Sequence, residues 1–461
     1  MTGNNQFEKT SLQNSRNKRI AVTLLLVGLL LLAGGKWGWF AYIPNWMAQK
    51  AVESRHLETA LWWAHLAERL SFNSGESEFI IARTLRKQGK LDEVGEHLKR
   101  AAGLGVHKDR IEREELLALA QSGEIARIQL QLDRMLIDQQ GDGAEIAEAY
   151  ANGLVICHRL EEAIAVLTAW QEAYPADPQA NYARGRIYDH QGRSDEAELE
   201  YRAAIKKAPT HHASQFALGR LLLSRNMIEE ALEMFTRCES MPHNAAVRIN
   251  RSRCLRGLGR TEEALKILKE VVREPHSEIL TSYQTVGEVP ETLTAQFELG
   301  TLESALDHHA EALPLLQEAV DFDPNDLKAR YALAVALRGV GERAKAAEEF
   351  ERVQKSRDAL KEVDRLVDEI VAKVGDPQIE KRFRVGELYM MHGSRKTAEF
   401  WLKSVLAKEP KHKATHALLA QYYADKAKQN PSFDRLAQQH ASLAAAEATQ
   451  TDRPPEASHH D

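Results

Sequence analysis

The stretch PQANYARGRIYDHQGRSDEAELEYRAAIKKAPTH, from Pro178 to His211, decides how this chain folds. A step of 34 residues separates Ala163, Ala197 and Ala231, and the same step separates Leu167, Tyr201 and Phe235. Gly185 recurs as Gly219, and Pro175 as Pro209. A fixed period of this size describes like supersecondary units stacked in a row, each packing on its neighbours, with no single central core. Within the stretch, Gly185, Tyr188, Gly192, Ala197, Tyr201, Ala204 and Pro209 hold positions 8, 11, 15, 20, 24, 27 and 32. Small residues at 8 and 20 let two antiparallel helices approach, and the large residue at 24 fills the space beside them. Gly at 15 turns the chain between the helices, while Pro at 32 stops the second helix before the next unit.

This pattern resembles the tetratricopeptide repeat. The resemblance implies an all-α solenoid of helical hairpins wound as a right-handed superhelix. The same frame places unit starts near Gly75, Asp109, Ala144, Pro178, His212, Ala245, Leu293, Leu327, Ile379 and Lys413. Ala264, Ala312, Ala346 and Ala398 take position 20 in the later units. A partial unit precedes them, its second helix spanning Leu57 to Leu70 with Ala60, Ala64 and Ala67 at positions 20, 24 and 27. About eleven units therefore fill residues 44–448.

Departures from the frame carry their own expectations. Ile128 is a poor match at position 20, and Arg248 and Arg251 replace apolar residues, which predicts a more exposed first helix in that unit. Residues 279–292 are an insertion with Gly287 and Pro290, expected to be a loop or a lengthened helix–helix connection. A second insertion, 361–378, spaces Leu360, Val363, Val367, Ile370 and Val374 by 3-4-3-4. That spacing predicts a long helix lying on its own neighbours, with a homo-oligomer contact as the alternative. Asn430-Pro431 reads as an N-cap and first helical residue opening a last helix to Ala446 that caps the stack. The tail 449–461 is expected to be disordered.

The chain has 461 residues, 28% of them charged, with a formal net charge of -6. That balance gives no support to a nucleic-acid partner. Cys157, Cys238 and Cys254 form no CxxC pair, which leaves zinc and redox motifs without support. Leu154 stands where a haem attachment motif ending at Cys157-His158 would need its first cysteine. All three cysteines read as packing residues, although Cys238 and Cys254 lie in successive units and a bridge between them stays open. No phosphate loop, HExxH or GxSxG motif occurs, so no catalytic residue, metal or cofactor is indicated. The doublets His211-His212, His308-His309 and His459-His460 read as solvated polar residues at junctions and ends.

At the N-terminus, the polar stretch 1–19 carries Lys9, Arg16, Lys18 and Arg19 against Glu8. An apolar segment follows from Ile20 to Ile43, interrupted by Lys36. As a helix it spans about 36 Å at roughly 1.5 Å per residue, enough to cross a bilayer. Ten Leu, Ile or Val residues between Ile20 and Leu32 favour insertion by roughly 3–6 kcal/mol. Lys36 is off centre and can snorkel, and Trp37, Trp39 and Tyr42 suit a membrane interface. The expectation is a single-pass anchor at 20–43 with the tail 1–19 cytoplasmic and the repeats on the far side, periplasmic in a bacterium. Ala33-Gly34-Gly35 leaves open cleavage as a signal peptide.

The tetratricopeptide resemblance implies that first helices line a concave groove with positions 2, 5, 6, 9, 12 and 13. Position 5 is Phe79, Tyr182, Phe216, Ile249, Phe297, Tyr331 and Phe383; position 9 is Arg83, Arg186, Arg220 and Arg253. An aromatic followed four residues later by Arg puts both on one helical face. Stacked, they form apolar shelves beside a ladder of guanidinium forks, suited to an extended peptide with hydrophobic anchors and acidic groups. The competing expectation is that the aromatics pack between helices and the arginines pair with nearby carboxylates. Chaperone-binding members of the family use Lys at 5 and Asn at 9, which this chain lacks. The function expected is a membrane-anchored, non-enzymatic scaffold or assembly factor that binds proteins. The alternatives are an import-receptor-like protein with cytosolic repeats, or a substrate-binding subunit of an enzyme complex.

Overall fold

The computed structural model describes residues 41–70, 74–137, 142–288, 294–372, 376–428 and 433–445. Among these residues the chain forms helices and no strand. First helices start at Gly75, Lys108, Gly143, Gln179, His212, Ala245, Thr294, Leu327, Ile379 and Lys413, each within one residue of the expected unit start. The partial unit also appears as expected, with a helix at Leu57–Leu70 whose buried residues are Ala60, Ala64 and Ala67.

The steric rule behind the period is visible at position 8. A Cβ built on Gly185 would lie 2.7 Å from the Tyr201 ring, and one on Gly219 would lie 2.9 Å from Phe235. Gly300 and Gly386 stand in the same relation to Leu316 and Leu402, both at 2.7 Å. These are the pairs at positions 8 and 24, so the missing side chain of one helix seats the large residue of the other. Position 15 obeys a second rule. Gly89, Gly123, Gly192, Gly259 and Gly341 are left-handed there, and in other units Arg55, His158, Asn226 and Asp307 adopt φ of 59–62° at the same place. In these units the backbone turns left-handed whichever residue is present, at modest cost for Asn, Asp or His, whereas Gly393 at the same place in the unit from Ile379 is extended, with φ -149°.

The chain divides into two compact units, Met1–Gln139 and Gln140–Asp461. The first has its own apolar core of Ala48, Phe79, Ile81, Leu98 and their neighbours. Arg86 and Glu114, both almost wholly buried, pair inside it, and Arg86 also donates to Gln121 at 2.8 Å. In the second unit, the helix Arg343–Ala372 runs 30 residues. Its Val363, Leu366 and Ile370 pack on Val385 and Leu388 of the next first helix, so this long helix lies on its neighbours. Val374 falls outside the described residues.

Two expectations are corrected. The helix Ala245–Gly257 is not exposed: Ala246, Val247, Ile249, Asn250, Cys254 and Leu255 are all buried. Arg248 pairs with Glu274 and Glu270, and Arg251 with Glu239, which keeps both guanidinium groups at the rim while the rest of the helix goes inside. Residues 279–292 do not begin as a loop or a mere connection; they continue a helix, His276–Thr285, whose Ile279, Ser282 and Tyr283 are buried. Cys238 and Cys254 are buried free thiols within one apolar cluster, in keeping with their reading as packing residues, and burial pushes Cys238 up to about 12.

The expected anchor at 20–43 falls outside the described residues except for its last three. Lys36, Trp37 and Trp39 lie outside, and Tyr42 opens a helix, Tyr42–Glu53, with its ring exposed. Among the described residues no helix is long and apolar enough to cross a membrane. The helix Asp434–Ala445 places Leu436 and Ala437 against a cluster containing Leu419, Tyr422 and Tyr423; Asn430-Pro431 and 449–461 lie outside the described residues.

Glu399 organises the last repeats. It accepts hydrogen bonds from the Tyr423 hydroxyl at 2.7 Å and the Tyr422 hydroxyl at 3.0 Å, with Lys403 at 2.7 Å and Lys426 at 3.7 Å. Burial alone would raise its pKa, but the two ammonium groups and the hydrogen bonds outweigh it and hold the carboxyl at about 2, against an ordinary 4.5. A depressed carboxyl stabilises the fold above its unfolded pKa and loses that contribution as pH falls. Acid titration of the wild type should therefore remove on the order of 3 kcal/mol between about pH 4.5 and 2, and Glu399→Gln should flatten that part of the stability profile. Gly185→Ala and Gly219→Ala should each destabilise by about 1–3 kcal/mol through overpacking, read as a lower urea midpoint. Arg86→Ala should cost about 3–5 kcal/mol, because it strands the Glu114 carboxylate in the core.

Candidate groove on the first helices

The first helices Gln179–His190, His212–Ser224 and Ala245–Gly257 each present their position-5 residue to one apolar cluster. Tyr182 is 5% exposed, and Phe216 and Ile249 are wholly buried. What covers them is the chain itself. The helix His276–Thr285 and the turn after it bring Ile279, Tyr283 and Val286 into the same cluster. The Tyr283 and Phe216 rings meet edge-to-face at 6.5 Å, and the Tyr182 hydroxyl donates to the Val286 carbonyl at 3.3 Å. The backbone N–H of Ala246 donates to the Ser282 hydroxyl at 2.9 Å. That hydroxyl supplies the N-terminal cap of Ala245–Gly257, since the Asn244 side chain donates instead to the Glu239 carbonyl. Gly287 turns left-handed with φ 76°, where a Cβ would collide with the Tyr182 hydroxyl.

Charge follows the same division. Glu288, within the inserted segment, lies 3.4 Å from Arg220, which also pairs with Asp189 at 3.3 Å. Burial, with Glu288 nearby, raises the Asp189 carboxyl, and Arg220 and Arg186 oppose that rise. Arg186 is exposed, and its guanidinium stands 5.8 Å from the Tyr182 ring. Arg253 bonds Glu298 at 2.6 Å and Arg256 reaches the other oxygen of the same buried carboxylate at 3.1 Å. The predicted residues Tyr182, Arg186, Phe216 and Arg220 thus share one hollow, while Arg253 faces the adjoining repeat. In the other unit, Phe79 is buried beneath the Arg110 guanidinium at 4.2 Å, and Arg83 is half-buried.

Beyond the inserted helix the inner face is open. Phe297, Thr301, Leu327, Lys328, Tyr331 and Ala332, with Arg357 of the long helix, line a cavity of about 360 Å³. Tyr331 is 45% exposed, and the Arg357 guanidinium lies 5.3 Å from its ring. Phe350 stands edge-on to Tyr331 at 5.5 Å, with Arg338 at 5.6 Å on its own ring. Among the described residues, Lys328, Arg338 and Arg357 make no ion pair with a carboxylate. The aromatic floor was legible at position 5 of the repeat. Arg357 was not, because it comes from position 31 on the second helix, outside the first-helix positions that the repeat frame assigns to the groove. At the last full repeat, Phe383 is half-buried against His412. No group of three or more metal-binding side chains occurs among the described residues.

Residues 158–212 and 288–362 match one tetratricopeptide-repeat model and residues 222–279 match a second. The chain carries tetratricopeptide repeats. No curated protein matches the sequence. Among solved structures it is similar to YrrB, described as a TPR protein with an unusual peptide-binding site, at 19% identity and a TM-score of 0.30, covering 41% of this chain and 90% of that one. It is similar to PilW, a type IV pilus biogenesis factor, at 17% identity and a TM-score of 0.39, covering 47% and 94%. Human IFIT1 with PPP-AAAA is similar over 83% of this chain and 94% of that one, at 16% identity and a TM-score of 0.39.

If the inserted helix fills the hollow, its ring carries more stability than the open one. Tyr283→Ala should cost about 3–5 kcal/mol and Tyr331→Ala less than about 1 kcal/mol in urea unfolding. Equal, small losses would mean that Tyr283 is not seated against Phe216.

Proposed function

We propose that this chain is a membrane-tethered repeat scaffold that binds segments of other proteins on the inner face of its first helices. The observation that carries the reading is the open cavity at Phe297 and Tyr331, where Lys328 and Arg357 stand without carboxylate partners among the described residues. Unneutralised cations beside exposed aromatic faces fit a partner segment that brings both a carboxylate and an apolar or aromatic group. The acidic inner-face residues Asp189, Glu288 and Glu298 and the net charge of -6 favour a protein over a nucleic acid. An apolar segment at 20–43 supports tethering, and the basic residues of 1–19 support a cytoplasmic tail with the repeats on the far side. Tethering raises the local concentration of whatever the groove holds. The function needs no chemistry, and binding without turnover is the reading for the whole inner face.

Two experiments test this. In membranes, crosslinked partner polypeptides should fall at least tenfold in Lys328→Glu/Arg357→Glu and stay unchanged in Arg365→Glu on the outer side of the long helix. A single-stranded RNA should not compete for the site. Equal crosslinking in all three proteins, or competition by RNA, would remove the groove reading. For the topology, protease added outside intact cells or spheroplasts should reach the repeats, whereas protection there with digestion from the cytosolic side would reverse the orientation.

A further inference from the structure

The repeat frame has no use for residues 279–292: the unit from Ala245 is complete without them, and the next begins after them. Yet the described part of this segment, residues 279–288, is seated against three consecutive first helices. It continues a ten-residue helix, His276–Thr285, with Ile279, Ser282 and Tyr283 buried and Ser277, Glu278, Gln284 and Thr285 exposed. A helix this short is marginal alone in water, so its order comes from the surface beneath it. An amphipathic helix laid in an apolar groove is one of the general ways in which proteins hold peptides.

We propose that residues 276–288 are a tethered ligand, and that the hollow formed by Tyr182, Phe216, Ile249 and Arg220 takes partner segments of the same chemistry. That chemistry is an aromatic residue, an aliphatic residue three positions later and a carboxylate two positions after that, as in Tyr283, Val286 and Glu288. Each feature meets a defined feature of the groove. Phe216 meets the aromatic ring edge-on, and Tyr182 takes the main-chain carbonyl at the aliphatic position. Arg220 takes the carboxylate, with Arg186 beside it. The carbonyl contact uses backbone that any peptide possesses, and the remaining two require only residue type. The inference rests on the reading of the inner face as a protein-binding groove. It adds that the chain occupies part of that groove and competes with partners for it.

A tethered segment acts at an effective concentration of about millimolar, so a free peptide competes poorly with it until the tether is weakened. The probe is a fluorescent peptide of sequence HSEILTSYQTVGE, residues 276–288, added to the full chain in detergent. Gly287→Val and Glu288→Arg loosen the resident segment without opening the repeat core: the first drives a side chain into the Tyr182 hydroxyl, the second sets like charges against Arg220. Both should bind the peptide at least tenfold more tightly than the wild type, and adding Arg220→Glu to Gly287→Val should abolish that gain. Folded variants that bind no better than the wild type would overturn the proposal. Should both variants lose their helical circular dichroism, hydrogen exchange in the wild type decides. Amides 279–286 exchanging at least tenfold faster than those of Ala245–Gly257 support a detachable segment, and equal protection overturns it. If these tests fail while crosslinking still depends on Lys328 and Arg357, the self-ligand falls and the open groove stands.

Discussion

The close approach of the two helices in each repeat is the constraint on which the rest depends. In most repeats position 8 is small where position 24 is large, and four repeats achieve this with glycine beneath Tyr201, Phe235, Leu316 and Leu402. In other repeats Ala82, Ala151, Ser252 and Ala334 stand at position 8, opposite Leu98, Leu167, Leu268 and Phe350, while the repeat from Asp109 departs from the rule with Leu116 there. With the helices locked at this distance, the spare face of each first helix has one direction to look. Side chains four residues apart, such as Tyr182 and Arg186 or Phe216 and Arg220, are then forced to the same side. The face proposed for recognition is a consequence of the packing rule.

That surface is used in two ways. Over three repeats it is covered by Ile279, Tyr283 and Val286, whose burial is worth roughly 1.5–3 kcal/mol for each large apolar side chain. The Arg220–Glu288 pair, whose side chains are 42% and 16% exposed, contributes at most about 1 kcal/mol. Apolar burial therefore decides whether the segment docks, and charge decides its register. In the next two repeats no described segment covers Tyr331, and the cations there lack counter-charges among the described residues. One inner face thus contains a satisfied stretch and an unsatisfied one, side by side.

The sequence made the helical repeats legible to within a residue, because the 8–24 contact and the small residue at 20 leave a period that no other fold shares. It was less informative about the turns, where His158, Asn226 and Asp307 adopt the conformation that glycine marks elsewhere. The groove residues could be picked out by position, but not their state. Tyr182 and Phe216 look identical in the sequence to Tyr331, which stays exposed, since nothing in the repeat says that residues 276–288 fold back over the first pair. Arg248 and Arg251 misled for a related reason: their partners, Glu270 in the next helix and Glu239 and Glu274 in the turns between helices, lie outside their own helix, and only the fold brings them together.

Nuclear Overhauser contacts in a selectively labelled sample examine this account where it is most exposed. With the Tyr and Phe rings and the Val methyls observed, cross-peaks should connect Tyr283 with Phe216 and the Val286 methyls with the Tyr182 ring. A spectrum that retains the Phe216–Phe235 contact inside its repeat but shows neither of those two would contradict it, for the inner face would then be bare where the structure has it filled.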